Sequence, residues 1–559
     1  MEQTIAPRNH AALQEDRPFI GIAVTSISWT HASDSRGRES GWAGKDVIQS
    51  SQSTPGEQFI GDPVAASPLR PKTKYNPSVL AYHRDTGNSR SDGYLGPLGH
   101  NVPTASTTNI KPAPLFWDDE GRLTAGAICN DTTTCIVALD PETFEILANW
   151  TGPTDQGSSP FFPFFTYSTM YEGRYITPAL GPKVLEIERS DTANGPTLRL
   201  VKELDLSALV GEENQIINSA YDEKGRFRFT TGGFRGAGVG STNTSAVIGY
   251  IEPGGAVKHM VLPDTNVENG IALTGSIVYL NTGPAGANDR PNAVGHLYAL
   301  APSVDGIRVL YNETYDAGSG IKPGGISRGS GSSPSLLGTD YVAITDNADT
   351  QIRLNIFKQA RSDASADWES VSNKNSNLVC TVPIFRPNAS ATENTLITHF
   401  DGEIYSAVIT ASFNAPPVIN FFNSSTTLNS SDHRVTTAAP GLVRVDFDPR
   451  NSSCRVRWEV DLPGTGIGTL STASGLLYQY HQDVELAGKG EYVWCLSVID
   501  YESGEIVWSV RTDTGPLFNN NYQSPTLGPD GAVYTWVQGG IVKVFDQMEE
   551  LVPHYGKEN

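Results

Sequence analysis

Short apolar stretches with a period of two run through this chain, each closed within a few residues by glycine, aspartate or asparagine. In CIVALDPETFEILANW (135–150) apolar positions alternate with small or polar ones, break at a DPET turn, and resume in a second stretch that ends in Trp150. A period of two puts one set of side chains on each face of a pleated strand, so this reads as a β-hairpin. SPTLGPDGAVYTWVQGGIVKVFD (524–546) follows the same pattern, with three short strands and glycine turns between them. It stops where a fourth strand is due.

That unit recurs along the chain. Copies start near 113, 218, 269, 333, 393 and 468, a weaker one spans 162–180, and the incomplete one closes the series at 524–546. Four strands per unit at spacings of about 40 to 70 residues match the blades of a β-propeller, which hides its sheet edges by radial repetition. The fold class is therefore all-β: a single propeller of eight four-stranded blades, or seven if a weak middle unit merges with its neighbour. Residues 1–74 read as a partly irregular N-terminal extension, 75–546 as the propeller and 547–559 as a tail. Closing the ring requires an N-terminal strand for the last unit, and YNPSVLAYHRDTGN (75–88) is the expected clasp. Gly121, Gly225, Gly275 and Gly531 sit where the first hairpin of a blade needs positive φ, and Trp150, Trp458 and Trp508 recur on fourth strands as blade-to-blade packing.

Composition narrows the choice of partners. Charged residues make up only 18% of the 559, while 55 glycines and 36 prolines fit a turn-rich β protein. The net charge of -21, with no basic run, argues against nucleic acid as a partner. No stretch reaches the roughly 18 apolar residues of a membrane span, so no membrane partner is expected. Of the cysteines, Cys129 and Cys135 bracket the loop CNDTTTC and are expected to form a disulfide; pairing among Cys380, Cys454 and Cys495 stays open. Sequons stand at Asn130, Asn149, Asn243, Asn312, Asn388, Asn423, Asn429 and Asn451. Together these favour a secreted or secretory-pathway glycoprotein, most simply a monomer, with a signal segment absent or replaced at MEQTIAPRNHAALQEDRP.

The hairpins CIVALDPETFEILANW and SVIDYESGEIVWSV (497–510) resemble the repeats of the quinoprotein-like propeller superfamily, which includes dehydrogenases with pyrroloquinoline quinone and many propellers with no cofactor. The dehydrogenases carry a vicinal cysteine pair over the quinone, and here no two cysteines are adjacent. No Glu, Asn and Asp set aligns with their Ca²⁺ ligands either, so no cofactor is expected. The architecture and the want of a cofactor set are also similar to secreted fungal hetero-Diels–Alderase propellers, which would imply a cyclase of natural-product assembly. Fold likeness alone does not assign activity.

Candidate chemistry falls on the loops that form a propeller's funnel. His481 and Asp483 in YHQD form the expected acid-base pair, with Tyr480 beside them and with Arg235 and Arg290 to bind a carboxylate or orient an oxygen. Asn218, Glu268 and Asn269 stand at heads of inner strands, Arg235 lies on a long glycine-rich loop, and Phe413, Phe421 and Phe422 give a second loop the character of a lid over an apolar ligand. Asp346, Asn347 and Asp349 offer oxygens to Ca²⁺ but lack the EF-hand spacing, which favours an Asx-turn network. Two readings stay open: a cofactor-independent enzyme acting on a small organic ligand by positioning, and a non-catalytic glycan- or protein-binding propeller. A carbohydrate lyase or hydrolase is a third.

Overall fold

Eight antiparallel four-stranded blades, numbered one to eight at 110–150, 169–205, 216–262, 272–316, 335–383, 397–460, 469–514 and 526–544 plus a clasp, make a β-propeller; Thr265–Asn266 pairs additionally with the second strand of blade four, and the hairpin Gly233–Phe234/Val239–Gly240 is inserted in blade three. The computed structural model describes residues 47–48 and 58–547, except 108–109, 130–132, 153–165, 235–238, 327, 362–376, 417–432, 436–437 and 440. All described residues fall within one compact unit, Glu39–Asn559.

Each blade begins with a short inner strand and a tight hairpin. Gly121, Gly225, Gly275 and Gly531 adopt φ of 75, 71, 56 and 77°, the left-handed conformation that only glycine reaches without a Cβ penalty. The carboxylate of Asp222 accepts from the backbone N–H of Lys224 and Arg226, and that of Asp118 does the same for Glu120 and Arg122. These aspartates turn the chain with their own side chains. Between blades, apolar faces interlock: Leu337, Ile356 and Leu396 pack with Ala407, Ile409 and Val443 across blades five and six. Trp458 is 8% exposed and its Nε1 donates to Tyr501 O at 2.9 Å, which ties blade six to blade seven. Trp508 is buried and stacks on Phe59, whose strand Phe59–Gly61 adds an outer edge to blade seven.

Two covalent ties hold the rim. Cys129–Cys135 closes a hairpin of blade one, as expected, with a Cα separation of 6.1 Å. Cys380–Cys454 joins the outermost strands of blades five and six, also at 6.1 Å. The Cys495 thiol stays free, pushed up to about 12 by desolvation.

The ring is closed by an N-terminal strand, but a different one from the segment at 75–88. Thr104–Thr107 pairs antiparallel with Gly540–Val544 and completes blade eight. It lies immediately before blade one begins at Ile110, so one continuous stretch finishes the last blade and starts the first. The segment at 75–88 goes to the axis instead. Val79–Ala81 pairs with the inner strand Thr169–Tyr171 of blade two, and beyond it the chain threads the central channel. There Thr86 O, Gly87 O, Ser89 O and Arg90 O accept in turn from the N–H of Leu273, Leu336, Thr398 and Leu470, one inner strand in each of blades four to seven. Asn88 Nδ2 donates to Ile271 O at 3.1 Å and Pro334 O at 2.8 Å. Inner strands present unpaired edges to the channel, and a bare edge deep in a protein leaves backbone groups without partners. The axial segment supplies those partners, with residues 85–92 all buried.

Candidate functional site

Where the axial segment meets the heads of the inner strands, a cavity of about 120 Å³ opens, and every blade contributes to its wall. Tyr82, His83 and Arg90 come from the axis, Tyr167, Asn269, Ser333 and Glu393 from blades two, four, five and six, and Tyr522 and Gln523 from the approach to blade eight. The sequence places them there by a simple rule. Each inner strand is preceded by a short polar head, and radial repetition brings all eight heads to one mouth.

The aromatic wall is well defined. The ring of Tyr82 meets His83 edge-on at 5.3 Å and Tyr167 at 5.6 Å, and His83 lies 5.6 Å from Tyr167. Tyr82 OH donates to Gln523 Oε1 at 3.1 Å, Tyr522 OH to Gly324 O at 3.0 Å, and Tyr167 OH makes a longer bond of 3.3 Å to Glu268 O. His83 Nε2 lies 3.3 Å from Ser333 Oγ, which itself accepts from Gly270 N at 2.9 Å. Desolvation, and then the positive charge of Arg90, lower the His83 pKa to about 3, so the imidazole is neutral at physiological pH. Desolvation raises the phenols of Tyr82 and Tyr167. They act as neutral donors rather than bases.

Arg90 is the cation of this wall. It is 2% exposed, Nη2 donates to Pro525 O at 2.6 Å and Gly468 O at 3.4 Å, and Nε has no hydrogen-bond partner. Desolvation, followed by the charge of Arg84, lowers it to about 9, which still leaves it protonated at neutral pH. The backbone is held in the left-handed region at Arg90 (φ 52°) and Tyr522 (φ 70°), conformations that side-chain-bearing residues adopt only where the surroundings impose them. On a wall that also carries the Glu393 carboxylate, this fixed cation and the neutral donors beside it can stabilise negative charge on a ligand oxygen.

The residues expected from sequence to form the site divide. Asn269 reaches the cavity, its Nδ2 bonded to Ser330 O at 2.6 Å. Glu268 adjoins it, and its Oε1 accepts from Asn266 Nδ2. Asn218 is a staple between blades three and four: Nδ2 donates to Thr230 Oγ1 and Asn269 O, and Oδ1 accepts from Ile271 N. His481 lies on the second strand of blade seven, 2.7 Å from Ser497 Oγ, with its pKa lowered to about 4 by desolvation. Asp483 caps a short helix by accepting from Leu486 N, so the structure does not join the two as a hydrogen-bonded pair. Tyr480 is buried inside the same blade, its OH on Thr512 Oγ1 and Phe518 O. Arg290 is exposed on a loop of blade four, with Nε donating to Ala287 O. Phe413 lines a separate depression with Phe385 and Arg386, while Arg235, Phe421 and Phe422 fall outside the described residues. Asp346 forms the Asx turn, accepting from Ala348 N and Arg353 N.

Sequence reasoning missed Tyr82, His83, Arg90, Tyr167, Ser333, Tyr522 and Gln523. Two signals were present. LAYHRDTGNSRSD (80–92) is too rich in charged and turn-forming residues for a clasp strand, and small polar residues precede each inner strand, as in NSA, NGIAL, SPSLL, NTLIT and QSPTL.

No family model matches the chain. It is 27% identical over 248 residues to an uncharacterized protein of Archaeoglobus fulgidus, a match that covers 43% of this chain and 46% of that one, less than half the relative's length. Among solved structures it is similar to the quinohemoprotein alcohol dehydrogenase of Comamonas testosteroni (TM-score 0.49, 12% identity, 85% of this chain and 82% of that one). It is also similar to BamB of Moraxella catarrhalis (TM-score 0.33, 11% identity, 67% and 94%) and to the Dos1 propeller (TM-score 0.38, 9% identity, 88% and 95%). These are likenesses of architecture. The propeller stands on its own sheet topology.

Proposed function

We propose that this protein binds a small organic molecule at the mouth of its funnel and acts on it as a cofactor-independent enzyme of the cyclase type. The observation that carries this reading is the wall itself, where Tyr82, His83 and Tyr167 meet edge-on or tilted beside Arg90, all four facing one cavity. Rings give a ligand apolar contact, and donors fixed before it arrives favour a charge-separated transition state without reorganising. His83 is too weak a base at about 3 for proton abstraction near neutrality, so the chemistry that fits is orientation and charge stabilisation. A secreted, glycosylated setting accords with the reading: two disulfides tie the rim, and the sequon asparagines Asn149, Asn312, Asn388 and Asn451 are exposed.

The test incubates the purified full-length protein with a library of linear polyene and enone precursors and follows products by mass spectrometry. Isomers of unchanged mass formed by the wild type and not by Tyr167→Phe with Gln523→Leu support cyclisation. Retention of a library member with no conversion favours the non-catalytic binder, and neither retention nor conversion removes the funnel from consideration.

A further inference from the structure

We propose that the funnel selects ligands bearing an anionic oxygen, a carboxylate or an enolate, and that Arg90 is the residue that reads this charge. The proposal rests on the ligand-binding reading of the cavity and adds the chemical class of the ligand.

The argument is one of charge balance along the axis. Within 82–92 the axial segment brings two arginines, Arg84 and Arg90, and two carboxylates, Asp85 and Asp92, and Lys72 from the irregular stretch before it reaches in as a further cation. Lys72 Nζ pairs with Asp85 at 3.1 Å, and Arg84 binds Asp92 through both Nε and Nη2. Ser89 and the backbone N–H of Gly87 and Ser89 also donate to Asp85, so both carboxylates are engaged. Among the described residues none forms an ion pair with Arg90, whose guanidinium meets carbonyl oxygens alone and keeps its Nε without an acceptor. Burying a charge without a counter-charge is costly, and a protein bears it most readily where a ligand supplies the missing partner.

Glu393 is the carboxylate of the same wall, and its position matters. Its Oε1 accepts from Ile326 N, and its charge acts on Tyr167 and Tyr522. The groups that act most on Arg90 are Arg84, Tyr82, Asp92 and Asp85. Among the described residues no ion pair joins the two, and a ligand can meet Arg90 while Glu393 keeps its backbone partner. Arg90 Nε is enclosed by protein, and Nη1, which makes no hydrogen bond of its own, is the N–H group of the planar guanidinium left to meet the oxygens of a carboxylate or a delocalised enolate.

A panel of monocyclic aromatic carboxylates, each matched with its primary amide, tests this on the full-length protein by saturation-transfer NMR and titration. The expected result is carboxylate binding at least about tenfold tighter than the amide, with the preference kept in Arg90→Lys and lost in Arg90→Met. Because Arg90 also bonds two carbonyls, circular dichroism and thermal melts establish that Arg90→Met is folded; if it is not, the Arg90→Lys titration decides, since loss of the preference there with retained charge overturns the proposal. Amides binding as tightly as carboxylates overturn the charge selection and leave the ligand-binding reading standing. Binding of neither class overturns both.

Discussion

His83 and His481 are both imidazoles kept neutral by desolvation, and they lie in opposite kinds of surroundings. His481 sits within blade seven, where its Nε2 meets Ser497 Oγ and that hydroxyl meets Ser509 Oγ at 2.6 Å, so its polar atoms are consumed inside the sheet. His83 stands on the axis among tyrosine rings, with one long contact to Ser333 and a face toward the cavity. The first was the obvious candidate from the spacing in YHQD, and the second was concealed in a segment that reads as a strand. The difference shows what a propeller does with polar residues. In mid-blade they stitch strands, and only at the inner heads and along the axis do they converge. Blades and axis should then respond differently to mutation: blade changes alter stability and spare the ligand, axial changes alter both.

The largest effect is expected at the rim. Replacing Cys380 and Cys454 by serine opens a loop with a sequence separation of 74 and should cost about 4 kcal/mol in chemical denaturation, against about 2 for the Cys129–Cys135 pair with its separation of 6. Ligand retention in the funnel should survive both changes. A loss of retention on opening the rim would mean that blades and axis are not separable.

Next comes the axis. Asn88→Ala removes two donors from the buried carbonyls of Ile271 and Pro334, and stranding two such groups costs about 3 kcal/mol. Here retention should fall with stability, because residues 82–90 carry the cavity's histidine and cation. A variant that is destabilised by this amount and still binds normally would show that the segment is only a filler of the channel.

The histidines give a third, pH-dependent contrast. His481 titrates at 6.5 when unfolded and at about 4 in the native state, so below pH 6.5 the unfolded chain takes up a proton that the folded one refuses. Stability is fully present above pH 6.5 and falls as pH drops toward 4, by up to ~1.4 kcal/mol per unit, after which this residue adds no further slope. His481→Gln should flatten part of the acid limb of an unfolding profile without touching the ligand. His83→Gln should flatten another part, extending toward pH 3, and weaken retention as well.

How far this contrast was legible beforehand follows from the kind of signal each region emits. The blades announce themselves through repetition: alternation in IVALD and VRVDFD, turn glycines, and tryptophans on outer strands are each set by local backbone geometry, so eight units and an N-terminal closure were readable. The axis has no period. VLAYH has strand composition, and only the competition for an edge decides whether it joins blade eight or blade two. Thr104–Thr107 won the blade-eight edge because it leads straight into blade one, a fact of connectivity rather than of composition. The site inherits this limit. Asn269 was found since it heads an inner strand, whereas Arg90 matters for the counter-charge it lacks, and that is visible only once Asp85 and Asp92 are seen paired with Lys72 and Arg84.

The smallest expected effect on stability is the sharpest test of the division. Tyr167→Phe removes one hydroxyl from a half-buried ring whose hydrogen bond to Glu268 O is 3.3 Å long, so less than about 1 kcal/mol should be lost on unfolding. The ring remains, and with it the contacts to Tyr82 and His83 that shape the wall. If the hydroxyl faces the ligand, conversion should fall about tenfold while retention changes little, since a donor directed at developing charge acts mainly in the transition state. Equal losses of retention and conversion would assign Tyr167 to binding alone, and no change in either would return it to the blades.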